Sequence, residues 1–366
     1  MTNQRTFRIA VLPGDGIGSE VMAACLRVLD ALSPSLDGIE LATETLKAGA
    51  ELYRRSGEAF PEAAFERARQ ADAILLGAMG LPDVRGPDGR EMAPQLDLRE
   101  RLQLFAGVRP IRTLPGLALP LADPRASRLD LVLVRESTEG LFAGRAGGRI
   151  EGDETARDTL TITRSASERL FDFAFELARR RKAASRPGRV TCVDKANVLR
   201  SFGFFRGIFD ERARLFPDIQ AEHCYVDAMA LNLVRQPWSY DVIVTENMFG
   251  DILSDLGAGL MGGMGMAPSA DIGESHAVFQ PCHGSAPDIA GQGKANPTAM
   301  LLSAAMMLEW LGDKHDVAAC GRAGRRLTAA VTAAFAEGSL RPFELGGQDG
   351  TAEITEAVLR ALEQTP

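Results

Sequence analysis

The chain has little of what crosslinks small folds or binds soft metals. Its five cysteines (Cys25, Cys192, Cys224, Cys282, Cys320) are scattered, with no CxxC pair. An odd number at wide spacing, among apolar neighbours, argues against a disulfide scaffold or a zinc ribbon and predicts buried thiols in a reducing, cytoplasmic setting. The four histidines form no HxxxH or HExxH pattern. No apolar run approaches the ~18 residues of a membrane span. The N-terminal MTNQRTFRIAVLPGDG also lacks the apolar core of a secretory signal. Excess positive charge is missing too: Lys and Arg number 41 against 49 Asp and Glu, a net charge of −8. Nucleic-acid binding needs a basic footprint, so no such partner is expected. The arginine clusters at 178–182 and 322–326 are expected to be solvated ends of amphipathic helices.

What is present suits an ordinary globular chain. With 366 residues and 45% hydrophobic content, two domains with ample core are expected. Apolar runs alternate with amphipathic stretches: a strand over Arg8–Leu12, a helix over Ser19–Leu32, a helix over 61–70 and a buried strand over Ala73–Leu76. This alternation predicts an α/β fold with a largely parallel sheet. The proline-rich 113–130 reads as a crossing between domains, before a strand in RLDLVLVRE. Polar, glycine-rich 144–157 suggests a hairpin or projecting arm. A long helix is expected at 165–181, a strand at Arg189–Val193 and an apolar helix at Thr298–Trp310, the last capped by Asn296-Pro297.

The chemistry is sought in TENMFGDILSDLGAGLMGG, where Asp251 and Asp255 lie four residues apart. On a helix, that spacing stacks two carboxylates on one face, and like charges there repel unless a cation lies between them. Their apolar surroundings make such compensation necessary. CYVDAMALN offers a third carboxylate, Asp227, and VDKANVL offers Lys195 as a base. Arg99, Arg109 and Arg135 lie in apolar segments, where a guanidinium wants an anionic partner, and three of them suit a substrate with two or more carboxylates. GDGIG (14–18) is GxGxG rather than a dinucleotide fingerprint, and reads as a tight strand-to-helix turn near a ligand. GAMG, beginning at Gly77, is a second place where a ligand could approach the backbone. HGSAPDIAGQGKANP (283–297) is a plausible nucleotide loop, with Asp288 available to a ribose hydroxyl.

In order along the chain, LPGDGIGSEV, LRERLQLFAGVRP, VRESTEGLFAGR, VDKANVL, YVDAMALNLV, NMFGDILSDL and HGSAPDIAGQGKANP make it resemble the β-decarboxylating dehydrogenases. This is the isocitrate, 3-isopropylmalate and tartrate/D-malate dehydrogenase family. The resemblance implies a two-domain α/β fold that is not a Rossmann fold. Residues 1–105 and 261–366 would form the first, cofactor-side domain, and 106–260 the second, with an arm at about 144–163 clasping a partner in a homodimer. It implies that Arg99, Arg109 and Arg135 bind the substrate carboxylates. Asp251 and Asp255 would hold Mg²⁺ or Mn²⁺ together with Asp227 of a neighbouring copy, whose Lys195 deprotonates the substrate hydroxyl. NAD would lie along His283, Gly284, Ser285, Ala286, Pro287, Asp288, Ile289 and Asn296, the Asp288-Ile289 pair matching NAD-using members.

Two positions depart from that pattern. Catalytic relatives carry a tyrosine seven residues beyond the third arginine, where this chain has Phe142. Either another group protonates the enolate, or the reaction stops after oxidation, or the chain is a regulatory or weakly active paralogue. At the positions before Arg99 that recognise the substrate's variable group stands Met92-Ala93-Pro94-Gln95. The Gln95 amide would be left unpaired against an alkyl group, which favours a D-malate- or tartrate-like diacid over 3-isopropylmalate or isocitrate.

Overall fold

The computed structural model describes residues 5–87 and 89–365, apart from the side chain of Ala146. The outermost residues of the expected first domain, 1–4 and 366, fall outside this description. The strands are β1 (Thr6–Gly14), β2 (Glu40–Thr45), β3 (Ala73–Ala78), β4 (Ala106–Arg112), β5 (Asp130–Glu136), β6 (Arg149–Glu151), β7 (Thr155–Arg157), β8 (Arg189–Asp194), β9 (Gln220–Tyr225), β10 (Val242–Thr245), β11 (Pro268–Ile272) and β12 (Ala277–Pro281). The helices are α1 (Gly18–Leu32), α2 (Ala50–Ser56), α3 (Glu62–Arg69), α4 (Pro94–Arg101), α5 (Gly140–Ala143), α6 (Arg164–Ala183), α7 (Arg200–Ala213), α8 (Val226–Arg235), α9 (Asn247–Met261), α10 (Thr298–His315), α11 (Ala318–Ala336) and α12 (Thr351–Gln364).

Among the described residues, one sheet runs β2-β1-β3-β12-β11-β4-β5-β10-β8-β9. Its flanks are parallel, as the buried runs AILL, LVLV and VIV require, since both faces of such strands must be covered. Its middle is antiparallel: β11 pairs with β12 and β4, and β4 pairs with β5. The sheet is thus largely parallel as expected, with an antiparallel segment at its centre that the sequence pattern did not predict. The proline-rich 113–129 is no interdomain crossing either; it joins the adjacent antiparallel strands β4 and β5. Proline and turn residues mark an irregular loop but carry no information about which elements it connects.

Helices from both chain ends pack together, with α1 against α10 and α12, and α10 against α11. Elsewhere α6 packs on α7, and Phe175 of α6 stacks on Phe209 of α7 and on Phe216 beyond it, with ring centroids 5.2 and 5.0 Å apart. β6 and β7 form the hairpin expected of 144–157 and expose Ile150. No described helix is long and apolar enough to cross a membrane.

Within the cluster at 178–182, Arg180 and Lys182 are exposed at the helix end as expected, but Arg181 is not. Arg181 donates through Nε to Asp241 at 2.6 Å, and Asp241, fully buried, also accepts the backbone N–H groups of Gly188 and Arg189. Asp241 thus ties α6 to the start of β8. Asp241→Ala is expected to lower stability by about 3–5 kcal/mol, because it breaks a buried ion pair and takes the acceptor from the Gly188 and Arg189 N–H groups, while Arg181 keeps Asp130 as its remaining partner. Denaturant titration with an unshifted midpoint would refute this.

Candidate active site

The site is built around the middle strands of the sheet and the helices that follow or precede them. β10 runs into α9 through Glu246, whose side chain caps the helix by accepting the Phe249 N–H at 2.8 Å. The helix ends at Gly262, in the left-handed region at φ +119°. Between these stops, Asp251 and Asp255 point into a cleft of about 250 Å³. Arg99 from α4, Arg109 from β4 and Arg135 from β5 converge on the same cleft.

Arg135 is held most firmly. Its Nε and Nη2 donate to Asn247 Oδ1 at 2.9 and 2.8 Å, and its Nη1 pairs with Asp251. Burial, with Arg99 nearby, pushes its guanidinium down to about 10. Behind the cleft sits Asp271 of β11, fully buried. It accepts from Arg99 Nε at 3.0 Å, from Arg109 Nη2 at 3.2 Å and from Gln280 Nε2 at 2.6 Å. Burial alone would raise its pKa, but Arg99, Arg109 and Arg135 outweigh that and hold it at about 2.

The carboxylate pair is undercompensated. Burial and the charge of Asp251 both raise the pKa of Asp255, which is the condition expected of a cation site built from protein oxygens. The donor set therefore fits Mg²⁺ or Mn²⁺. Within one chain Asp227 does not complete it, since the three carboxylates do not gather within 4.8 Å. Asp227 instead accepts from Lys195 Nζ at 2.6 Å, and neither residue lines the cleft. A different trio, Cys192, Asp194 and His223, does approach within 4.8 Å. Arg206 already occupies both oxygens of Asp194, at 2.8 and 2.7 Å, so a cation there would meet a guanidinium.

The loop after β12 carries the residues expected to hold a nucleotide. His283 and Gly284 line the cleft, and burial lowers the His283 pKa, favouring the neutral ring. Ser285 anchors the loop: its hydroxyl donates to Gly80 O, and its carbonyl accepts the Ile17 N–H at 2.8 Å. Ala286 sits at φ +37°, unusual for a residue with a side chain. Pro287 and Asp288 are exposed, and Ile289 is partly buried against the core. Asn296 is buried and committed to the fold, donating to Glu344 Oε1 at 2.7 Å and accepting the Thr298 N–H at 3.0 Å.

The glycines of GDGIG form the tight turn expected of them. A Cβ on Gly16 would stand 2.0 Å from Ser285 O, so this turn and the nucleotide loop fit only without a side chain there. Gly77 is explained by packing rather than by a ligand: a Cβ there would lie 2.4 Å from Pro13 O, and it does not line the cleft.

A family model for isocitrate/isopropylmalate dehydrogenases matches residues 8–358. The chain belongs to that family. It is similar to the 3-isopropylmalate/3-methylmalate dehydrogenase of Methanocaldococcus jannaschii, at 42% identity over 98% of this chain and 99% of that one. The 3-isopropylmalate dehydrogenase of Moorella thermoacetica is 46% identical over the same shares. A crystal structure of isocitrate dehydrogenase from Methylococcus capsulatus superposes with a TM-score of 0.86 at 38% identity, covering 98% of this chain and all of that one. The fold is the family's, and the enzyme class is that of a dehydrogenase acting on a CH–OH group. Both departures lie in the cleft of this family member. The Phe142 ring is centred 5.2 Å from the Arg135 guanidinium, and Gln95 Oε1 is buried without a hydrogen-bond partner. Asp271, Gln280 and Asn247 were not anticipated from sequence. The signal for Asp271 was a lone acid inside the apolar run MAPSADIG.

Proposed function

We propose that this chain oxidises and decarboxylates a malate-type 2-hydroxy diacid with an alkyl group at C3, the 3-isopropylmalate class, using NAD and Mg²⁺ or Mn²⁺. The convergence of Arg99, Arg109 and Arg135 opposite Asp251 and Asp255 in one cleft carries this reading. Similarity to 3-isopropylmalate and 3-methylmalate dehydrogenases favours the alkyl-bearing substrate over D-malate or tartrate. The unpaired Gln95 oxygen keeps a substrate with a small polar group as the second reading.

The arginines would hold the two carboxylates, and Asp251 and Asp255 would hold the cation with Asp227 of a second copy. Lys195 of that copy would accept the hydroxyl proton as the C2 hydrogen leaves as hydride. Loss of CO₂ from the resulting keto acid leaves an enolate, which must take a proton at C3. When bound, the nicotinamide supplies the hydride acceptor and the cation withdraws charge from the substrate oxygens. The loop from His283 to Ile289 would carry the adenosine half of the cofactor, with Asp288 facing the ribose.

A second copy is supported by the apolar surface beside the acid pair. Leu231 and Val234 on α8 and Ile252 on α9 are 55%, 49% and 60% exposed. Large apolar side chains left exposed on two helices that pack together suit an interface. Ile252→Asp is expected to yield monomers by sedimentation and to abolish most turnover; a fully active monomer would sink the shared site.

The function is tested by following NADH and CO₂ with Mn²⁺ over 3-isopropylmalate, D-malate, tartrate, homoisocitrate and isocitrate. The expected result is highest kcat/KM on 3-isopropylmalate. A preference for D-malate or tartrate would establish the second reading. Tight binding without any turnover would make the chain a non-catalytic subunit and overturn the proposal.

A further inference from the structure

We propose that Asp271 sets the charge of the acid this cleft accepts, favouring dianions with an uncharged C3 substituent over trianions. The inference rests on the diacid-binding role of the arginines proposed above and adds a residue that does not line the cleft. The three guanidiniums share the cleft with Asp251 and Asp255; Asp251 pairs with Arg135, and the proposed function assigns both carboxylates to a cation. Asp271 approaches the arginines from behind, through the antiparallel pairing that sets it opposite Gly107 on β4.

Its hydrogen bonds show which arginine groups remain for a ligand. Arg109 spends Nη2 on Asp271, and its Nη1 lies 3.3 Å from the carbonyls of Val108 and Ala270. Arg99 gives Nε to Asp271, leaving its terminal nitrogens toward the cleft. Gln280 reinforces the carboxylate with a neutral donor at 2.6 Å, adding geometry but no charge. With Asp251 and Asp255 given over to the cation, one of the three positive charges is thus balanced by Asp271, in a buried place where Coulomb interactions are strong. A ligand with two carboxylates completes the balance. A third carboxylate would face arginine charge already neutralised, and would have to lose its hydration without a full counter-charge. Asp271 is therefore a positioning and charge-setting residue rather than a catalytic one.

The test uses the full chain with saturating Mg²⁺. Calorimetric affinities for 3-isopropylmalate and for isocitrate are compared in the wild type, Asp271→Asn and Asp271→Ser. Asparagine preserves the size and one acceptor, and serine leaves room for water, so either folded variant suffices. The expected result is a rise of at least tenfold in the ratio of isocitrate to 3-isopropylmalate affinity. A merely structural Asp271 would weaken both acids together, and a ratio within twofold of the wild type would overturn the proposal. The readout needs no turnover, so an inactive chain that binds diacids would defeat the proposed reaction and leave this ratio decisive. A wild type that binds neither acid would overturn both.

Discussion

Phe142→Tyr is expected to raise steady-state turnover, read as CO₂ release, by about 10²–10⁴-fold, the usual worth of general acid catalysis, because the enolate left by CO₂ must be protonated before the site is freed. The ring already lies in the cleft, beside Arg135. Its position is fixed by its surroundings. Gly140, which starts α5, adopts φ +77°, and a Cβ there would stand 2.9 Å from Glu246 Oε2. Asn247 donates to Glu139 O at 2.8 Å, tying the same turn to α9. A phenolic oxygen would therefore extend a ring that is already placed, and it would supply the proton that phenylalanine cannot give to C3. Hydride transfer precedes that step, so the NADH formed in a single turnover should change little. Parallel measurement of NADH and CO₂ decides the matter. Equal CO₂ rates in both proteins would mean that another donor, or water, already performs the protonation.

How much of this site could be read from the residues follows from their chemistry. Arg99, Arg109, Arg135, Asp251 and Asp255 announced themselves because ionised groups in apolar segments need partners. The cleft brings all five together. Asp271 obeys the same rule but was lost among small residues, and its partners come from sheet neighbours distant in sequence. Knowing that β11 runs antiparallel to β4 is what places it behind Arg109, and strand order is not encoded in any local pattern. The same gap explains the error over 113–130. Asn296 was legible as a helix cap, and that is how its amide is used. Arg181 misled because helix-end arginines are usually solvated, whereas here a buried aspartate from another element reaches it.

The second large effect is expected at Asp255. Asp255→Asn keeps the shape and removes the charge, and should lower kcat/KM with Mn²⁺ by about 10²–10⁴-fold, the equivalent of several kcal/mol of Lewis-acid stabilisation. Asp255 is the more telling of the pair. Asp251 already shares its charge with Arg135, whereas Asp255 is opposed by burial and by Asp251. Removing that charge relieves the apo protein and penalises the metal complex. The variant should therefore be no less stable than the wild type without metal, and should need far more Mn²⁺ for half-maximal rate. An unchanged Mn²⁺ requirement would show that the cation is held elsewhere.

The contact between Lys195 and Asp227 has a consequence for how activity depends on dilution. In the single chain these two groups satisfy each other at 2.6 Å. In the shared site proposed for the dimer, Asp227 is claimed by a cation and Lys195 by a substrate proton. In that proposed site the pair would act as a safety catch: a lone subunit would neutralise its own contribution, and pairing with a second copy would release it. Below the dissociation constant of the dimer, the rate should rise with the square of protein concentration rather than linearly.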